Sequence, residues 1–512
     1  MRDSFELVII GGGINGAALA EAAAHGGYGV ALLERADFGA GVTSRSTRLI
    51  HGGLRYLEHG HFGVVRESLR EREALLEEFP FQVEPLEFLI PVYRADSRAR
   101  LWVRLGLEAY QWIGRSRRLG RHRQLSADEA LALEPGLKRD GLCGGFVYYD
   151  CRSLYPERLA LEMALEARAL GAEVRNHAPV AGLAAQPDGG VAVRLASGES
   201  CRARLVINAA GPWADQVRQM WSGASSPNGR RLLRLIGGCH IVTAAFSGAP
   251  SRAIYHEASA DRRPFFIVPW RGLWLIGTTE TPHAGDPGAV APTAAEIDYL
   301  LRETNLLLPR AGLSRPSVLY AYAGLRPLLD SSSSQARAIS RGHAVYDHEQ
   351  EGRPGMITML GGKLTTARAF AAETLEVVAA KLGRPPRERA RRAPWDAAAV
   401  PERLARIYGR RALDIVALMR RDPALDRPIC PAAETTAAEI IHAARNENAR
   451  TLGDILLRRT GLAFAPCLGL DCAPQAARLA APALGWDEAA MAAAVADYHQ
   501  ELGGTLYRKC PA

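Results

Sequence analysis

Residues 5–10 form an apolar run that leads into Gly11-Gly12-Gly13-Ile14-Asn15-Gly16, then into an alanine-rich stretch suited to a helix, then into a second apolar run at residues 28–33 that ends at Glu34. Strand, glycine turn, helix and strand, with G-x-G-x-x-G at Gly11, Gly13 and Gly16 and an acid about twenty residues on, is the layout of a dinucleotide-binding βαβ unit. The glycines let the backbone turn tightly and approach a pyrophosphate. The helix N-terminus offers N–H donors and a positive dipole, and a carboxylate at Glu34 suits ribose hydroxyls while repelling a 2′-phosphate. No other stretch of the chain restricts the fold as strongly.

At 512 residues, with 48% hydrophobic and 23% charged, the chain has the balance of a globular protein of about three domains, which excludes fibrous and disordered classes. We find no apolar run of about 18 residues and no signal-peptide layout, so the expected location is the cytoplasm, or a membrane surface reached from that side. The eight cysteines are scattered without a C-x-x-C pair, so free thiols are expected and neither a disulfide framework nor a metal site is. The net charge of +8 is compatible with an anionic substrate, membrane or nucleic acid, but the chain carries no zinc-finger, helix-turn-helix or RNA-binding signature, so no nucleic-acid partner is expected. Only four of the 63 basic residues are lysines, at 138, 363, 381 and 509. A lysine inside a glycine motif is therefore worth weighing.

FAD and NAD share the N-terminal fingerprint. Two later segments favour FAD. Residues 205–213, with Asn208-Ala209-Ala210-Gly211-Pro212-Trp213 at the end, read as a buried strand closing on small residues that let backbone pass close to a bulky cofactor. Residues 356–366 read as a strand, the pair Gly361-Gly362, Lys363 and then a helix continuing to about Leu382, whose N-terminus beside a lysine could face the electron-rich end of a reduced flavin.

A longer segment, Thr43-Ser44-Arg45-Ser46-Thr47-Arg48-Leu49-Ile50-His51-Gly52-Gly53-Leu54-Arg55-Tyr56-Leu57-Glu58, resembles the signature of the FAD-dependent, quinone-linked glycerol-3-phosphate dehydrogenases. Gly238-Cys239-His240, Gly277-Thr278-Thr279-Glu280, Gly324-Leu325-Arg326-Pro327 and Gly361-Gly362-Lys363-Leu364-Thr365-Thr366 follow in that family's order, and residues 446–460 resemble its helical C-terminal domain. The resemblance spans nearly the whole chain. It implies a mixed α/β fold: a Rossmann-like FAD domain (1–80, 150–230 and 340–383) interleaved with an antiparallel-sheet substrate domain (81–149 and 231–339), then an all-helical cap (394–512). Alternation at residues 191–195, and at 265–268 and 273–276 around Arg271-Gly272, agrees with antiparallel strands. Beyond about Pro394 strand signals disappear and helical patterns cover 401–421, 435–445, 451–460 and 487–502, after a Pro/Arg-rich linker at 384–392.

The resemblance implies FAD held by Gly11, Gly13, Ile14, Asn15, Gly16, Glu34, Arg35, Ser44, Ser46, Thr47, Leu49, His51, Gly52, Gly53, Ala210, Gly211, Trp213, Gly362, Lys363, Leu364 and Thr365. It also implies hydride removal from carbon 2 of sn-glycerol 3-phosphate to give dihydroxyacetone phosphate. Such chemistry needs cations for a phosphate dianion and an acceptor for the hydroxyl proton. Arg55 and Arg326 are the candidates for a bidentate phosphate clamp; Lys363, Tyr56 and Thr365 would join them in binding substrate. His240 and His51 are the candidates for the proton acceptor, since histidine alone titrates near neutrality unperturbed; with Arg326 they form the catalytic set.

Three departures from the family pattern bear on the substrate: Gly237-Gly238 where Lys-Gly is usual, Glu280 where Asp is usual, and Tyr155-Pro156 where an Asp pair is usual. A related oxidoreductase for another anionic 2-hydroxy acid or an amino acid, and a non-catalytic flavin-binding protein, stay open as alternatives. The resemblance implies quinone as electron acceptor and peripheral attachment to the cytoplasmic face of the inner membrane. Residues 98–123 read as a basic helix and tail with Leu101, Trp102, Leu105, Ala109, Trp112 and Ile113 on one face, which fits either an interfacial helix or one packed on its own core. A homodimer is compatible with the sequence, which sets no oligomeric state.

Overall fold

The structure is a computed structural model that describes residues 1–58, 60–96, 100–222, 231–330, 342–388, 395–431 and 433–506. The chain divides into two units, one made of Met1–Ser44, Tyr155–Leu235 and Arg326–Leu502, the other of Arg45–Leu154 and Ile236–Leu325 with the residues from Gly503.

The first unit is built on an eight-stranded sheet. Its main path runs His343–Asp347, Met356–Gly361, Ser200–Asn208, Ser4–Ile10, Val30–Leu33, Glu173–Arg175. The four pairings from Met356–Gly361 through Glu173–Arg175 are parallel, and the edge strand His343–Asp347 is antiparallel. Strands buried on both faces of a parallel sheet read as continuous apolar runs; Leu7, Val8 and Ile9 are fully buried accordingly, each worth roughly 1.5–3 kcal/mol relative to exposure. Residues 191–195 form a strand as anticipated, pairing antiparallel with both Val180–Ala185 and Ser200–Asn208. The helix Ile14–His25 packs against Pro156–Ala169 and Ala367–Leu382, and its alanines keep those approaches short.

The segment beyond residue 400 is helical, as the pattern indicates: Glu402–Tyr408, Ala412–Arg421, Ala437–Asn446 and Glu488–Thr505. Three details differ. A two-stranded antiparallel hairpin, Pro428–Cys430 with Ala433–Thr436, interrupts the helices; strands this short are beneath what alternation can signal. The 451–460 pattern becomes a π-helical turn at Asp454–Arg459, and Ala473–Leu484 is a helix that tolerates Pro482 near its end. Part of the expected 384–392 linker, and Arg98 at the start of the expected basic helix, lie outside the described residues.

The second unit carries a ten-stranded sheet in which Leu233–Thr243 pairs with Leu273–Gly277, and then Pro264–Trp270, Ala253–Glu257, Val83–Tyr93 and Leu142–Ser153 follow. Pairing is antiparallel along this run except between Ala253–Glu257 and Val83–Tyr93. The hairpin around Arg271-Gly272 matches the alternation. The helix Ala294–Leu307, opened by a Thr293/Glu296 capping box, buries Ile297, Leu300 and Leu301 against Leu89, Val147, Ile241 and Ile276.

Candidate functional site

In the first unit, the turn after Ser4–Ile10 is shaped by what cannot fit. A Cβ on Gly16 would stand 1.9 Å from the Gly11 carbonyl oxygen, and one on Gly11, where φ is +112°, would stand 2.6 Å from the Ala209 carbonyl. Gly13 has room toward the open side, its nearest neighbour being Thr43 Oγ1 at 3.5 Å, and it caps the helix that begins at Ile14. The Ile14 N–H donates to Thr43 Oγ1 at 3.0 Å, and the Gly12 N–H donates to Glu34 at 2.6 Å. Burial pushes the Glu34 carboxyl above its ordinary range, while N–H donors from Ala36 and Gly12 pull the other way. Thr43 was not singled out from sequence; its side-chain role is visible only once the chain returns to the turn.

Further anticipated cofactor residues lie in the same unit. Asn15 Nδ2 donates to the Gly361 carbonyl at 3.2 Å, and a Cβ on Gly362 (φ +90°) would meet that Asn15 amide at 2.7 Å. The Arg35 guanidinium lies 4.4 Å from the centre of the Trp213 ring. Ala210 precedes the short turn Gly211–Trp213. Asn15 Oδ1 and Trp213 Nε1 are buried with no hydrogen-bond partner among the described residues, a costly state in a protein that never meets a ligand there. Lys363, Leu364 and Thr365 bridge the strand Met356–Gly361 and the helix Ala367–Leu382, with Thr365 buried. Arg326 sits half-buried on Val318–Leu329. Ser44 Oγ donates to the Ala40 and Gly41 carbonyls, so it serves its own turn.

In the second unit, Thr47 and His240 come together across 193 positions, Thr47 Oγ1 lying 2.8 Å from His240 Nε2. The imidazole stacks on Tyr322, centres 5.1 Å apart and planes 20° from parallel, and the Tyr322 hydroxyl donates to the Ser46 carbonyl at 2.8 Å. A Cβ at Gly277 would stand 2.4 Å from His240 Cδ2, so the glycine beside this histidine is required by its ring. Tyr322 was missed because nothing in its own neighbourhood marks it. His51 meets Phe266 edge-on at 6.4 Å. The Gly52 N–H donates to Tyr110 Oη at 2.7 Å; that hydroxyl donates to Asp150 at 2.6 Å, and Arg72 pairs with the same buried carboxylate at 2.6 Å. Gly53, at φ +75°, leaves space that the Tyr56 ring fills. Leu49 contributes through its strand pairing with Arg152, and Ser46 Oγ accepts from the Arg48 N–H.

Arg55 is exposed and lines a cavity of about 650 Å³ whose wall includes Leu57, Phe62, Ile90, Trp102, Leu105, His256 and Arg262. Burial holds the His256 imidazole down at about 4. The expected basic helix spans Arg100–Gly114. Its core side is taken by Leu107 and Tyr110, while Leu101, Trp102, Leu105 and Trp112 are 63%, 70%, 48% and 70% exposed; that arrangement removes the packed-on-core alternative for those four. Of the three departures, Gly237 has the Thr281 carbonyl 3.3 Å from where a Cβ would stand. Glu280 faces Arg263, and Tyr155-Pro156 opens the helix Pro156–Ala169 with proline at a first-turn position that needs no N–H.

Also in the first unit, Asp37, His177 and Asp454 bring ligand-type atoms close together. Arg458 and Arg459 both pair with Asp37, and Arg458 also pairs with Asp454, so two guanidinium charges already neutralise the carboxylates a cation would need. The cluster reads as a structural ionic seam.

Comparison with known proteins follows the same lines. Residues 6–368 match the family described as FAD dependent oxidoreductase, and residues 359–491 match the C-terminal domain of alpha-glycerophosphate oxidase. A glycerol-3-phosphate dehydrogenase of Synechocystis sp. is 39% identical over 493 residues, covering 90% of this chain and 89% of that one. Glycerol-3-phosphate dehydrogenase 2 of Mycobacterium bovis is 34% identical over 529 residues, covering 97% and 88%. The solved structure of the glycerol-3-phosphate dehydrogenase from Bacillus halodurans, complexed with FAD, superposes with a TM-score of 0.75 at 25% identity over 98% of this chain and 95% of that one.

Proposed function

Because this chain belongs to the FAD-dependent glycerol-3-phosphate dehydrogenase family, we propose that it oxidises sn-glycerol 3-phosphate at carbon 2 to dihydroxyacetone phosphate and passes the electrons to a quinone. The glycine turn, the Glu34 carboxylate and the two orphaned buried atoms of Asn15 and Trp213 fit FAD. Bound FAD supplies the hydride acceptor. The rest falls to the chain's own side chains.

The contact that carries this reading is the one between Thr47 and His240. We assign His240 to take the substrate hydroxyl proton: the 2.8 Å hydrogen bond between its Nε2 and Thr47 Oγ1 and the stacking on Tyr322 hold the imidazole in one orientation. His51 is the second candidate. Arg55, Arg326 and Lys363 are assigned to the phosphate dianion, and Tyr56 and Thr365 to substrate binding; guanidinium forks and an ammonium suit that charge. Mixing the purified protein anaerobically with glycerol 3-phosphate should bleach the flavin band near ~450 nm. His240→Gln should retain FAD and lower kcat by about 100-fold or more. A yellow protein that stays yellow overturns the substrate and redirects the search to other anionic 2-hydroxy acids and amino acids.

For the acceptor, the support is the exposed apolar face of Arg100–Gly114, where two tryptophans stand among Arg100, Arg104 and Arg115, a composition suited to a cytoplasm-facing anionic bilayer surface. No helix among the described residues is long and apolar enough to cross a membrane. Binding to anionic vesicles that survives Trp102→Ala with Trp112→Ala removes this helix from the reading.

A further inference from the structure

Three of the eight cysteines converge in the first unit from separate elements: Cys430 at the end of the hairpin strand Pro428–Cys430, Cys467 in the loop after the short turn Leu462–Phe464, and Cys472 at the N-cap of Ala473–Leu484. Cys430 Sγ and Cys467 Sγ are 3.5 Å apart across 37 positions, in van der Waals contact. The Cys472 thiol points to the Gly469 carbonyl. Cys430 and Cys472 are buried, while Cys467 is half-buried and follows exposed Pro466. That gives an oxidant a way to one sulfur of the pair and leaves the other in reserve. We propose that Cys430 and Cys467 form a thiol–disulfide site, with Cys467 the sulfur that first attacks a peroxide and Cys430 the one that resolves it.

The reaction balances in two steps. Cys467 gives two electrons to the O–O bond of hydrogen peroxide, which breaks to yield a sulfenic acid and one water. Cys430 then attacks that sulfur, forming the S–S bond; the sulfenic oxygen leaves with the remaining thiol proton as a second water. Burial pushes the Cys467 thiol up, and burial with its thiol neighbours holds Cys472 at about 12. Cys467 should therefore react slowly at neutral pH and faster as pH rises.

The test treats the FAD-loaded full chain with hydrogen peroxide and maps its peptides by mass spectrometry. The expected product is a loss of about 2 Da in a cross-link between the peptides carrying Cys430 and Cys467, reversed by dithiothreitol. Cys472→Ser should keep that link, and Cys467→Ser should abolish it. Thermal unfolding of the oxidised wild-type protein should rise by roughly 3 °C and fall back on reduction. Oxygen adducts of about 16 Da or more without a cross-link, a link from Cys430 to Cys472 instead, or eight thiols surviving the peroxide would each overturn the assignment. The peptide map of the wild-type protein decides this even where a serine variant fails to fold.

Discussion

The glycine turn at 11–16 and the ionic seam around Asp37 belong to the same unit and are held in opposite ways. In the turn, carbonyl oxygens occupy the space where a side chain would go, the Gly11 oxygen 1.9 Å from a Gly16 Cβ. In the seam, large charged side chains fill the interior: Asp37 and Arg459 are buried, with 2.9 Å between Asp37 Oδ1 and Arg459 Nη2, and Arg158 pairs with buried Glu447 at 2.6 Å. One region is fixed by the absence of atoms and the other by charge neutralisation. A steric constraint acts between neighbours and leaves its mark in consecutive residues, whereas a buried charge can find its partner anywhere in the chain.

The sharpest way to break the contrast is Gly16→Ala. One methyl group should force the turn open and lower FAD retained on purification by about 10-fold or more, read from the ratio of flavin to protein absorbance. In the seam, Arg459→Met should leave the Asp37 carboxylate buried with less compensation and cost about 3–5 kcal/mol in urea unfolding, with FAD content per folded molecule little changed. If Arg459→Met strips FAD as fully as Gly16→Ala does, the two regions are not separable. Thr43→Val removes a single acceptor from the Ile14 N–H and should cost about 1 kcal/mol.

The smallest effect is one of pH. Burial opposes a charged His177, but the hydrogen bond and charge of Asp454 outweigh it and raise its pKa. A raised folded pKa gives stability that is complete below the unfolded value of about 6.5 and is lost as pH rises through the folded value. His177→Gln should flatten that decline above neutrality. On the acid side the sign reverses: despite burial, the charge of Arg158 and the hydrogen bond of His442 hold Glu447 well below its ordinary range. Its contribution stands above the unfolded pKa and is lost as pH falls through the folded one, so Glu447→Gln should shrink the acid-side loss.

How far the sequence reading reaches follows the same division. The turn, its flanking strands, the pair Gly361-Gly362 and the helix to Leu382 were legible because each is a local pattern of period or glycine placement. Thr43, Tyr322 and the Tyr110–Asp150–Arg72 anchor beneath Gly52 were not, because each acts through a hydrogen bond or ring contact made at long range. The Arg100–Gly114 helix sits between the two cases. Its amphipathic period was evident, yet the side facing solvent was decided by Leu107 and Tyr110 reaching the core.

By itself the sequence determined the dinucleotide turn, since that depends on residue type and spacing of a few positions, while the mixed α/β layout and the candidate chemistry at His240 and the basic residues were what the family resemblance implied. Only the tertiary structure decided that His240 meets Thr47 and Tyr322, that consecutive arginines of a π-helical turn converge on Asp37, and that Cys430 touches Cys467. Those pairings join residues from 37 to 422 positions apart. Loop closure over such distances costs only slowly increasing entropy, so the packing inside each unit, and not proximity along the chain, selects which side chains meet.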